Sequence, residues 1–255
     1  MSSSYPPSFT SRSWLHLVYI GLRFFSQTAP SLRLEPGYSS FKTNRRNPLP
    51  TGRETFAQDP FAHSAIGAMK WESACLFAGA PIDPSVTPLT EQLKNPVLWM
   101  TQAHAMSAAA GAVLLKHQDF AEVPLYVREV CESQYCAVVM MLIGYSLEVS
   151  LKAMIIVQEG IEGYTQLGKK TQHHRLEDLA SFIPDLSKKD KAILRGLSHF
   201  VSWAGRYPDP GTGKEHKLDE IFDLGEKHQV TTSDLFKVAG RVMQYAQTVV
   251  SQSQG

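Results

Sequence analysis

Residues 135–157 read YCAVVMMLIGYSLEVSLKAMIIV, and the fold of the chain turns on how this stretch is disposed. Wound as a helix it is apolar almost all round, which predicts the central helix of a bundle rather than a surface helix. Two charges interrupt it, Glu148 and Lys152, and they argue against a membrane span. They stand at i and i+4 with the acid first, the favourable order for a helical ion pair. The expected helix runs from about Val127 to Gln158; Gly160, Gly163 and Gly168 then end it and open a loop that carries Lys169 and Lys170.

On the N-terminal side of this rod, Asn95 followed by Pro96 is a cap and first-turn signature. Trp99, Ala103, Met106, Ala110, Val113 and His117 then recur at helical steps, and a run of alanines suits close approach to a neighbour. On the C-terminal side a short helix uses Leu176, Leu179, Ala180 and Ile183 before Pro184 stops it. Ser187 with Asp190 resembles a capping box for a further helix, with Ile193, Leu197, Val201 and Ala204 as its buried stripe and Gly205 and Pro208 as its stop. After a polar, glycine-rich stretch, Thr231 to Asp234 caps a last helix built on Leu235, Val238, Val242, Tyr245 and Val249. No stretch alternates as a strand does, so the expected fold is all-α, an antiparallel bundle of four or five helices.

The helical pattern occupies about 89–255. Residues 1–88 are expected to be a largely irregular extension, because prolines from Pro30 to Pro88 leave room for only one helix of moderate length, Ala62–Phe77. Residues 1–34 hold Arg12, Arg23 and Arg33 and no acid, with an apolar run from Trp14 to Phe25 too short and polar to span a bilayer. The run faintly resembles a targeting peptide; an irregular tail, or translation from upstream of a start at Met69, is the preferred reading.

A hydrophobic fraction of 43% supplies a proper core, and a net charge of +1 gives no global attraction to nucleic acid or membrane, so an anionic partner needs a local patch. Cys75, Cys131 and Cys136 make neither a disulfide framework nor a zinc set, which suits a reducing, cytoplasmic compartment. Cys131 and Cys136 are expected to act as small apolar residues on one helix. Adjacent His173 and His174 lack a second ligand pair, so no metal is expected. No cofactor motif stands out either: at Gly211, Gly213 and Lys214 the phosphate-loop pattern fails on Pro208 and Glu215.

Two sets of residues carry the functional expectation. Arg195, His199, Ser202 and Arg206 form a polar stripe beside the apolar one, able to meet phosphate through forked donors and an imidazole. The plain alternative is a solvated helix face. Glu148 and Lys152 sit in the most apolar helix and must find partners. Either they pair with each other, or Glu148 orients an arginine such as Arg206 while Lys152 meets an anion.

Gly144-Tyr145-Ser146-Leu147-Glu148 with Leu151-Lys152-Ala153, then His174-Arg175-Leu176 with Leu179, then Trp203-Ala204-Gly205-Arg206-Tyr207-Pro208, resemble in that order the HEPN-like helical proteins. The likeness covers roughly 95–208. It implies a small helical bundle that forms homodimers, often in toxin–antitoxin or defence systems beside a nucleotidyltransferase-type partner. Many such proteins are metal-independent RNases with an arginine and a histidine on a late helix. Here only three residues separate Arg195 from His199, fewer than in those nucleases, and the next histidine after Arg206 is His216. The resemblance therefore implies first a non-catalytic module binding RNA, a nucleotide or a partner protein through Glu148, Lys152, His174, Arg206 and Tyr207. The second implication is an endoribonuclease in which Arg195 or Arg206 stabilises the phosphorane charge and His199 acts as acid–base. A purely structural interaction bundle is the third.

Overall fold

A computed structural model of the chain describes residues 53–61, 93–116 and 120–252. The candidate helix Ala62–Phe77, Met69, Cys75, His117 and the rest of the predicted extension apart from 53–61 lie outside the described residues. The chain divides into two units. Of the N-terminal unit the regular structure described is one short helix, α1, Arg53–Gln58. The helical unit is described from Lys94 onward.

All regular structure among the described residues is helical, with no strand. Helix α2, Pro96–Leu115, starts as expected, the Asn95 side chain accepting from the Val97 amide at 2.9 Å. Helix α3, Leu125–Leu167, lies antiparallel to it. Three contacts fix that direction: Tyr135 Oη donates to the Val113 carbonyl, Ser146 Oγ to the Ala103 carbonyl, and Lys94 Nζ to Thr165 Oγ1.

α3 is longer than expected. Gly160 adopts φ 72°, ψ 171°, which breaks the helical path, yet the chain regains helical geometry and continues to Leu167 before Gly168, φ 48°, turns it away. Glycine supplies both left-handed positions without the steric cost that a Cβ carries. The segment from Val139 to Ile156 is the inner rod, with Leu147 and Leu151 fully buried. The N-terminal turns of α3 are outside the core, with Leu125 76% and Tyr126 85% exposed. Cys131 is half-buried and Cys136 exposed, so the expected apolar role does not hold for Cys136: the core begins only at Val139. By length and composition α3 is a segment able to cross a membrane, and most of that stretch is covered by the bundle itself.

A tight 3₁₀ turn, Gly168–Lys170, leads to α4, Leu176–Leu179. This helix is a single turn, and Ala180 and Ile183 lie in the irregular chain after it, buried in the hydrophobic core. Helix α5, Lys188–His199, opens with the reciprocal Ser187–Asp190 capping box. It then widens into a π-helical turn, Phe200–Ala204. The supposed polar loop beyond it contains helix α6, His216–His228, which rests on α5 and has no buried residue. Leu218, Ile221, Phe222 and Gly225 recur there at helical steps, a signal that the glycines and charges before it obscured. Helix α7, Thr232–Gln252, closes the bundle against α3 and α5, with Val238 and Val242 fully buried. Arg241 of α7 pairs with Asp190 of α5, and Lys189 reaches Asp234 at 2.7 Å.

α3 and the end of α5 approach closely where they cross. A Cβ on Gly144 would strike Val201 Cγ2, and one on Gly205 would strike the Met141 side chain. Two glycines, one at each side of the crossing, let the backbones approach.

Candidate functional site at the crossing of α3 and α5

Glu148 points inward from α3 and is 5% exposed. A carboxylate in that position is tolerated only if its oxygens are satisfied. Both are: Lys152 Nζ donates to Oε1 at 2.7 Å, and His174 Nδ1 lies 2.8 Å from Oε2. The expected i, i+4 pairing with Lys152 is present. The expected alternative, Glu148 orienting Arg206, is not: the second oxygen is taken by His174, and Arg206 turns to main-chain carbonyls instead.

His174 stands between the 3₁₀ turn and α4, with its side chain 48% exposed. Donation from Nδ1 to the carboxylate fixes the ring and directs Nε2 away from Glu148. Tyr145, one turn before Glu148, meets the imidazole edge-on, with centroids 6.2 Å apart and planes at 87°. Lys169, Lys170 and Arg175 are exposed on the same short stretch of chain, Arg175 being paired with Asp178.

The π-helical turn explains Arg206. Widening the helix there pairs the Gly205 amide with the Phe200 carbonyl and the Arg206 and Tyr207 amides with the Trp203 carbonyl. The carbonyls of Val201 and Ser202 are then served by side chains. Arg206 Nη2 donates to both, and Tyr145 Oη donates to the Val201 carbonyl at 3.3 Å. A guanidinium on the last carbonyls is a common way to finish a helix, and widened turns of this kind recur at functional sites. The Val201 carbonyl thus joins two halves of one surface row, His174 and Tyr145 on one side, Arg206 on the other. The Arg206 guanidinium carbon also lies 5.5 Å from the centroid of the exposed Tyr207 ring.

The polar stripe of α5 does not act as one array. Arg195 pairs with Glu177 of α4 at 2.8 Å. Ser202 Oγ donates back to the Ser198 carbonyl. His199, its side chain only 11% exposed, has Nε2 at 3.1 Å from Glu220 of α6, and its Nδ1 accepts from Trp203 Nε1 at 3.5 Å. Burial pushes its pKa below the ordinary 6.5, outweighing the upward pull of the Glu220 carboxylate. Both ring nitrogens are engaged in this arrangement.

Beyond Trp203 an open cleft of about 410 Å³ separates the end of α5 from the start of α6. Trp203, Tyr207, Asp209, Lys214 and Lys217 are among the residues that line it. Sequence reading passed over Lys217 and treated Lys214 only as part of a failed motif; the i, i+3 spacing of the two lysines was the available signal. Among the described residues no three side chains of His, Cys, Asp or Glu gather as a metal would require. The chain matches no family model, and no curated protein and no solved structure match it.

Proposed function

We propose that the chain is a HEPN-like module that binds RNA without cleaving it, in the cytoplasm, through the row from His174 to Arg206. The observation that carries this is the joint anchoring of that row: Glu148 holds the His174 ring, and the Val201 carbonyl holds both Tyr145 and Arg206. An imidazole and a guanidinium kept in register by buried partners are suited to successive phosphate oxygens, and the exposed Tyr207 ring is suited to an unstacked base. With a net charge of only +1, such binding is local and involves few phosphates.

The non-catalytic form is preferred because the acid–base group of the nuclease reading, His199, has its nitrogens turned to Glu220 and Trp203, while Arg195 is neutralised by Glu177. The test is fluorescence anisotropy of the full chain with labelled single-stranded RNA in chelator, followed by a denaturing gel of the same samples. Saturable binding with intact RNA, weakened by His174→Ala and by Arg206→Ala, is the expected result. Absence of binding at low salt overturns the reading. Cleavage that persists in chelator and disappears in His199→Ala replaces it with the endoribonuclease.

A further inference from the structure

We propose that α6 is an acid-released cover: its first turns seal His199 of α5 from water at neutral pH, and protonation of that ring frees the helix while α3, α5 and α7 stay packed. The inference goes beyond the RNA-binding reading and does not rest on it.

α6 packs against α5 with no buried residue, and it is firm at one end only. At its C-terminal end Gln229, in the left-handed region at φ 45°, closes the helix, and Lys189 of α5 donates to the Gln229 carbonyl at 3.1 Å. At its N-terminal end the chain arrives through Gly211 at φ 92° and Gly213 at φ 76°, and the acids of this loop are turned onto its own amides, Asp209 to Gly211 and Glu215 to Gly213. Within the helix, Glu220 makes the one ion pair to α5 among the described residues, at 3.1 Å from His199 Nε2. Ile221 and Leu224 are only half-buried, and Leu218 and Phe222 are already exposed, so little apolar contact resists opening. Elements with few buried contacts open at the low end of the stability range.

The chemistry of the His199 ring supplies the trigger. Trp203 Nε1 is a donor only, so the Nδ1 that it meets at 3.5 Å is the accepting nitrogen, and the single proton of the neutral ring sits on Nε2, donated to Glu220. A second proton on Nδ1 would set two N–H groups against each other and leave the indole N–H of the buried Trp203 without this acceptor. The charged groups around the ring divide. Glu220 favours the second proton, while Lys217 of α6 and Arg195 of α5 oppose it, Arg195 being itself paired with Glu177 of α4. Burial opposes it most, so the covered ring takes a proton less readily than an ordinary imidazole. Lifting α6 removes that burial together with Lys217, at the loss of the smaller pull of Glu220. The open form therefore binds the proton better, and acid favours opening as pH falls below about 6.5. Opened, the chain offers solvent a charged His199, one turn after Arg195, that the closed form withholds.

The test is hydrogen exchange of the full chain, read by mass spectrometry at about pH 7.5 and 5.5 with labelling times scaled to equal intrinsic exchange. Peptides from 216–228 are expected to lose protection about tenfold, the most that one proton with an ordinary pKa of 6.5 yields over that range, while those from α3 and α7 keep theirs. His199→Gln, which keeps a donor toward Glu220 and carries no titrating ring, is expected to remove that loss. His216 and His228 at the ends of α6 are common to both proteins, so the difference isolates His199. Glu220→Gln, which keeps an acceptor without the charge, is expected to be less protected in α6 than the wild type at pH 7.5 and to remain acid-sensitive. Protection of α6 that is equal at the two pH values overturns the cover. The same acid loss in His199→Gln overturns it, as does a loss shared by α3 and α7, which marks global unfolding. Should His199→Gln fail to fold, Glu220→Gln with wild-type protection of α6 at pH 7.5 overturns it alone.

Discussion

Glu148 Oε2 and His174 Nδ1 lie 2.8 Å apart across the junction of α3 and α4, joining a buried carboxylate to an imidazole that is half open to solvent. The asymmetry of burial separates the energetic consequences of altering either partner. Glu148→Ala leaves Lys152, 12% exposed, without its counter-ion. Breaking a buried pair from one side costs about 3–5 kcal/mol. His174→Ala removes a half-exposed partner and leaves the Lys152 bond in place, a cost of about 1 kcal/mol. Urea unfolding should therefore rank Glu148→Ala well below His174→Ala in stability, while RNA affinity should fall in both.

The α3–α5 crossing makes opposite predictions for three glycines. Gly144→Ala and Gly205→Ala each thrust a methyl into Val201 or Met141, and overpacking of this kind costs about 1–3 kcal/mol. Gly196, in the middle of α5, has open space at its Cβ position. Gly196→Ala should stabilise by about 0.5–1 kcal/mol through helix propensity alone. Thermal midpoints that move the same way for all three would contradict the close backbone approach.

Arg206 acts through geometry as well as charge. Arg206→Lys keeps the cation but shortens and loosens the side chain whose one nitrogen, Nη2, serves both the Val201 and Ser202 carbonyls. It should lose about 1 kcal/mol of stability. RNA affinity should fall more in Arg206→Ala than in Arg206→Lys, and the slope of log affinity against log salt should shrink by about one unit in the alanine variant.

His199 makes stability depend on pH with a definite sign. Its folded pKa lies below the ordinary 6.5, chiefly through burial, so below about pH 6.5 the unfolded chain binds the proton that the folded chain refuses. Stability contributed by the neutral ring is present above that pH and declines as pH falls through the window beneath it. Urea midpoints from pH 7.5 to 5.5 should drop more steeply for the wild type than for His199→Asn. Equal slopes would remove His199 as the source.

Much of the fold was legible because its signals are local. The reciprocal pairs Ser187–Asp190 and Thr231–Asp234, and the Asn95 cap, join residues within one turn, so a reader of the chain meets both partners together. Glu148 and Lys152 were legible for the same reason. α6 was missed although Leu218, Ile221 and Phe222 stand at helical steps, because the glycines and charges before it read as a loop and its stripe is at most half-buried. The continuation of α3 past Gly160 was missed because a left-handed glycine reads equally as a stop or a kink.

By itself the order of residues determined that the described part of this chain is helical, where most of its helices begin, and that the segment around Leu147 and Leu151 lies innermost, since period, capping and apolarity are properties of neighbours. Only the tertiary structure decided that Glu148 takes His174, 26 positions away, rather than Arg206, that Arg206 caps a widened turn, and that Lys214 and Lys217 line one cleft with Trp203 and Tyr207. Those outcomes depend on packing between segments far apart along the chain, as does the close approach of α3 and α5 at Gly144 and Gly205.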